Sequence, residues 1–189
     1  MIFLNNPEYI KIDDKKIKIN TDFRIALKCQ EIATDPEIND IERAMAIIYL
    51  LFGKEALEDE EHYEEYLQKS AKFLACGKEM QQAKGDNEPI FDYKQDWGYI
   101  KASFMSDYQI DLDTTKIHWW TFFDLLNGLT KHSKLVEVMR IRNEPLDDKK
   151  GKERSEWIEA KKSVALKRQK TKRELELDER WKKMLNKEG

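Results

Sequence analysis

The sequence predicts a mainly helical protein: a helical domain with a short N-terminal β-hairpin and a long charged C-terminal helix. Three observations carry this. Only 7 Gly and 4 Pro occur in 189 residues, too few for the sharp turns of an all-β fold. Charged residues at 38% and hydrophobic ones at 40% form a balance that favours helices. Within residues 96–129, which hold three of the five Trp, the aromatic side chains recur at helical spacing. The length suits one domain with an appendage and leaves no room for two catalytic domains.

Taken in order, residues 9–19 alternate apolar and polar and predict a hairpin, with Asp13-Asp14-Lys15-Lys16 as its turn. Asn20 or Thr21 is positioned to cap a helix carrying Phe23, Ile25, Ala26, Leu27 and Ile32. Pro36, behind Asp35, is placed to start the next helix. There Ile41, Met45, Ile48 and Phe52 follow i, i+4, i+7 and i+11, which predicts one buried stripe ending at Gly53. Residues 59–76 are acidic first and basic later, the order that complements a helix dipole, with Tyr63, Tyr66, Leu67, Ser70, Phe73 and Leu74 inward and Gly77 as the stop. Residues 84–90 read as a loop.

A helix resumes near Tyr93, stacking Trp97, Ile100, Phe104 and Tyr108 on one face. Residues 111–115 form a connection able to cap the next helix, which runs from His118 through Trp119, Trp120, Phe122, Phe123, Leu125 and Leu126 to Gly128 and, apolar nearly all round, belongs at the centre. Residues 135–141 follow, and Asn143-Glu144-Pro145 marks a break. The expected division is residues 1–145 as hairpin plus helical core and 146–189 as a basic, charged helical extension. From Asp147 onward 15 basic and 10 acidic residues give +5, which leaves −8 on the rest of a chain whose net charge is −3. The phase of the apolar residues slips between Val164 and Leu177, so no sustained heptad exists.

Several residues invite a chemical reading. Asp111-Leu112-Asp113-Thr114-Thr115 fits the DxDxT pattern of phosphotransferases that use a nucleophilic Asp, but that chemistry needs the motif at the end of a buried parallel strand, and here it follows a helical stripe. Capping is the better reading. His62, among Glu60, Glu61, Glu64 and Glu65, has only Glu65 and Tyr66 at i+3 and i+4, so it reads as part of a solvated acidic face rather than a metal site. His118 has no nucleophile arranged beside it and reads as a hydrogen-bonded histidine at the core edge. Cys29 and Cys76 have no CxxC spacing and read as reduced, mostly buried thiols. No catalytic residue, cofactor or metal is expected. No apolar run reaches the ~20 residues that span a bilayer, and a cytosolic setting is expected. The net charge argues against wholesale nucleic-acid binding. The cations of the extension, Lys161-Lys162, Lys167-Arg168 and Lys172-Arg173, are interleaved with Glu and poor in aromatics, which suits a solvated helix or a protein-binding surface better. Trp157, Leu177, Trp181 and Met184 have the least to pack against and are the expected partner contacts, whereas Trp97, Trp119 and Trp120 are assigned to the core.

One further reading comes from likeness. Asp96, Ile100, Ser103-Phe104, Tyr108, Ile110-Asp111-Leu112, Ile117-His118-Trp119-Trp120, Phe122, Leu125-Leu126, Gly128-Leu129 and Arg140-Ile141-Arg142, in that order, resemble a family of tailed-phage proteins labelled by gene-product number fifteen, from the tail-morphogenesis region of siphoviruses. The resemblance implies a non-enzymatic tail-assembly protein in the host cytoplasm. It would be a chaperone, or a chaperone extension, holding the helical tape-measure protein while the tail tube polymerises, with oligomerisation left open. A structural tail or tail-completion component is the alternative, and nucleic-acid binding through the basic extension the third.

Overall fold

A computed structural model describes residues 6–78 and 90–167. Strands β1 (Tyr9–Ile12) and β2 (Lys15–Lys18) pair antiparallel, with Tyr9 opposite Lys18 and Ile12 opposite Lys15. The turn is shorter than expected. Lys15 and Lys16 join the ladder, and Asp13 takes the left-handed conformation at φ 49° that a two-residue turn demands and Asp tolerates. Ile12 and Ile19 carry the hairpin's apolar side into the core.

Helix α1 (Phe23–Thr34) is capped by Asp22, whose carboxylate accepts from the Arg24 N–H, rather than by Asn20 or Thr21. The reason is tertiary. Residues 20–22 precede the helix and the segment is paired elsewhere: the Asn20 N–H donates to the Leu51 carbonyl, Phe23 N–H to Ile117, and Trp119 N–H to Thr21. Helix α2 (Asp40–Phe52) starts later than Pro36 predicts, because Asn39 and Glu42 close a reciprocal capping box three residues downstream of that proline. Gly53, at φ 88°, ends it, and a short helix α3 (Lys54–Glu58) and a 3-10 turn at Glu60–His62 lead into α4 (Tyr63–Leu74). Tyr66, Ser70 and Phe73 are its buried side, as the spacing predicts. Gly77 follows at φ 71°, and a Cβ there would stand 3.0 Å from the Trp120 ring, so both conformation and space require glycine.

Helix α5 (Trp97–Tyr108) begins four residues past Tyr93 because Asp92 first closes a turn onto Gln95 and Asp96. Helices α6 (Trp119–Asn127), α7 (Lys134–Asn143) and α8 (Gly151–Val164) complete the described elements. The expected loop at 84–90 lies outside the described residues except for Ile90.

The core is an aromatic stack. Phe122 of α6 lies 4.6 Å from Phe23 of α1, 5.1 Å from Phe104 of α5 and 5.8 Å from Trp119, centroid to centroid and near-parallel. Each such pair adds about 0.5–1.5 kcal/mol beyond the area it buries. Both neighbouring indoles are satisfied at the end of α4, Trp119 donating to the Leu74 carbonyl and Trp120 to that of Phe73. Trp119 is fully buried, and Trp97 and Trp120 are half-buried against the core.

A second tie holds the C-terminal helices. Arg142 of α7 binds buried Asp96 in a two-pronged pair, at 2.7 and 2.8 Å, and also donates to the carbonyls of Ile90 and Val164. Lys161 of α8 returns a bond to the Arg142 carbonyl. The segment from 146 therefore packs on α7 at least as far as Val164.

Candidate protein-binding surface

The residues that invited catalysis are occupied structurally. Asp111 accepts from the Asp113 N–H and the Thr114 hydroxyl, closing its own turn, while the Arg24 guanidinium donates to the carbonyls of Leu112, Asp113 and Thr115 from inside it. These residues do not cap α6. That cap is His118, whose Nδ1 accepts from the Trp120 N–H while its Nε2 faces the Pro7 carbonyl at 3.0 Å, an arrangement that places the ring proton on Nε2. His118 is the half-buried, hydrogen-bonded histidine the sequence suggested, although it precedes the helix instead of belonging to it.

His62 departs from expectation. Its acidic neighbours Glu60, Glu61 and Glu64 are exposed, but His62 is half-buried: its ring bridges Asp59 at 2.7 Å and Asp13 of the hairpin turn at 3.0 Å, and hydrogen bonding to Asp59 raises its pKa. No group of three metal-ligating side chains is found among the described residues. Burial pushes the Cys29 thiol up to about 12 and the Cys76 thiol up to about 11, which removes both from nucleophilic chemistry near neutral pH.

What remains open is apolar. The predicted α2 stripe is buried only in its second half: Ile48 and Phe52 lie in the core with Leu51, whereas Ile41 is 73% and Met45 40% exposed. With Tyr49 at 53%, these exposed residues recur at i, i+4 and i+8 along one edge of the helix. Helix α1 packs on α2 from the other side, held by Arg43, which donates to the carbonyls of Ile32, Asp35 and Ile38. Nothing among the described residues covers the outer edge.

The row leads from Tyr49 into an open groove of about 930 Å³ formed where three distant segments meet, 18–22, 49–54 and 116–118. The backbone pairings Asn20–Leu51 and Phe23–Ile117 bring them together. Its apolar lining comes from Leu50, Leu51, Phe52 and Ile117, and Lys18, Lys54 and Lys116 stand at its rim. Asp22, the single carboxylate of the lining, is neutralised by Arg24 at 3.1 Å. Lys54 pairs with Glu58, and Lys18 and Lys116 form no ion pair among the described residues, so the rim is positive. An open groove with both apolar and polar lining suits a segment of chain better than an enclosed small molecule.

Of the expected partner contacts, Trp157 is half-buried on α8, with the Lys149 ammonium 4.9 Å and the Arg140 guanidinium 5.7 Å from its ring centroid. Leu177, Trp181 and Met184 lie outside the described residues. The α2 edge and the groove were missed at sequence level, although three apolar residues at i, i+4 and i+8 flanking a buried stripe were a visible signal.

Fold and surface together define a helical domain with an aromatic centre and one uncovered apolar edge. Residues 4–166 match the family model described as Bacteriophage Gp15 protein, and the chain belongs to that family. Neither a curated protein nor a solved structure matches it. Among the described residues no helix is long and apolar enough to cross a membrane.

Proposed function

We propose that this phage protein is a non-enzymatic tail-assembly chaperone, or chaperone extension, that binds the helical tape-measure protein in the host cytoplasm during tail tube polymerisation. The observation that carries the reading is the exposed row Ile41, Met45, Tyr49 running into a basic-rimmed apolar groove. An amphipathic helix recognised through i, i+4, i+8 anchors needs a surface of this kind, and a long helical client offers many such segments. Family membership supports a phage role and is silent on the client.

Co-expression with the tape-measure protein of the same phage tests it. A soluble complex is expected, lost on Met45→Asp with Tyr49→Asp; a client that stays insoluble, with no complex eluting, overturns the proposal. Mass spectrometry of mature particles should not find the chain, and finding it in fixed stoichiometry would make it a structural tail component.

A further inference from the structure

The hairpin leaves one edge of its two-stranded ladder open where it approaches the groove. We propose that the outer edge of β2 binds an extended segment of a partner protein in which acidic and apolar residues alternate, and adds it to the hairpin as a third strand.

The backbone supplies the first argument. In an antiparallel ladder successive residues direct their N–H and C=O alternately toward the partner strand and away from it. Ile19 donates toward the β1 side, to the Glu8 carbonyl, so Lys15 and Ile17 face β1 while Lys16 and Lys18 face outward. The next outward residue, Asn20, donates to the Leu51 carbonyl, so this edge already bonds to chain beyond the hairpin. Among the described residues the outward N–H and C=O groups of Lys16 and Lys18 have no backbone partner. Helix α4 packs on β1, and no helix makes a comparable contact with β2. The open groups recur about every 7 Å, the two-residue repeat of an extended chain, and offer donor and acceptor together, as strand addition requires.

Side chains specify the partner. On the hairpin's outward face Tyr9 stands opposite Lys18 and Lys11 opposite Lys16, all four exposed. Two lysines directly across a ladder repel each other. Asp14 compensates Lys11 at 3.2 Å, whereas Lys16 lies 4.0 Å over the Tyr9 ring, and neither Lys16 nor Lys18 forms an ion pair among the described residues. The other acid of the turn, Asp13, is engaged by His62, and Glu8 falls on the opposite face by the alternation of the strand. Exposed Lys116, which lines the groove with Lys18, extends the positive strip. On the inner face the edge offers half-buried Ile17. A third strand therefore meets cations on one side and an aliphatic side chain on the other, which selects carboxylates alternating with apolar residues.

The same features disfavour two other occupants. A second copy pairing through β2 would set Lys16 and Lys18 against their own counterparts, the means by which edge strands avoid joining themselves. Nucleic acid presents phosphate oxygens, which only accept, to an edge whose C=O groups need donors. The edge is independent of the chaperone reading, since a helix laid along α2 forms no bond with β2.

The test titrates the full chain with an end-blocked hexapeptide alternating Glu and Val and follows amide hydrogen exchange by NMR. Exchange at the Lys16 and Lys18 amides should slow by about tenfold at saturation. A version methylated at every backbone nitrogen keeps the charges but cannot donate to the Lys16 and Lys18 carbonyls, and should give no protection. Lys16→Glu with Lys18→Glu, both on the exposed face, should abolish binding of this peptide and confer binding of one alternating Lys and Val. The proposal is overturned if the two amides gain no protection, if the methylated peptide binds as well, or if the charge exchange leaves the preference unchanged. Protection in the free chain that grows with its concentration would make a second copy the occupant, and an oligonucleotide binding more tightly than the peptide at these amides would make it nucleic acid; either result overturns it too.

Discussion

His62 stands between carboxylates of two different elements, Asp59 ahead of its own turn and Asp13 at the hairpin tip. Hydrogen bonding to Asp59 raises its pKa against partial desolvation, with Asp59, Asp13 and Glu61 adding attraction for the imidazolium. A histidine whose folded pKa lies above its unfolded value of about 6.5 contributes its stability fully below that value and loses it as pH rises through the folded pKa. The melting temperature of the wild type should therefore exceed that of His62→Gln most at about pH 6, with the gap closing as the pH rises past about 6.5 and through the raised folded pKa. A gap that stays constant across that range would mean the ring acts by packing alone. The sequence showed the acidic neighbours of His62 but not Asp13, 49 residues earlier, and for that reason the residue read as solvated.

Helix α2 shows what periodicity conveys and what it does not. The spacing of Ile41, Met45, Ile48 and Phe52 correctly groups them near one side, but only the last two reach the core, because over the first turns of α2 nothing among the described residues covers the edge that carries Ile41 and Met45. Ile48→Ala should cost about 2–5 kcal/mol by leaving a cavity, whereas Ile41→Asp should change stability by less than about 0.5 kcal/mol; urea denaturation of both variants checks the contrast, and equal losses would restore the continuous buried stripe. The hairpin, the aromatic face of α5 and the stop at Gly128 were legible because each is set by residues within a few positions. The cap of α1, the cap of α6 and the groove were not. Each depends on strand-like pairing between residues 20–23 and either Leu51 or 117–119, a tertiary event with no local signature. The Asn39–Glu42 capping box joins residues only three apart, whereas Pro36, expected to start the helix, sits in the preceding turn.

For the molecule as a whole, the residues that carried the family resemblance turn out to be its fastenings. Asp96 holds Arg142, Ser103 accepts from the Leu135 N–H, Tyr108 donates to the Leu125 carbonyl, and Phe104, Trp119 and Phe122 make the stack. Removing one partner of the nearly dry Asp96–Arg142 pair strands a buried charge, so Arg142→Ala should cost about 3–5 kcal/mol, and Asp96→Leu combined with Arg142→Met should cost less; denaturant midpoints of the two proteins decide it, and a double variant as unstable as Arg142→Ala would show that the pair's geometry matters beyond its charge. The central stack also dictates an order of events during synthesis. Phe23 closes against Phe122, which follows it by 99 residues, so at about 5–20 residues per second the growing chain carries α1 for roughly 5–20 s before that ring exists. Over that interval α1 has α2 to pack against but not the aromatic half of its core, and the ribosome-bound protein must keep an apolar face out of trouble until α6 emerges.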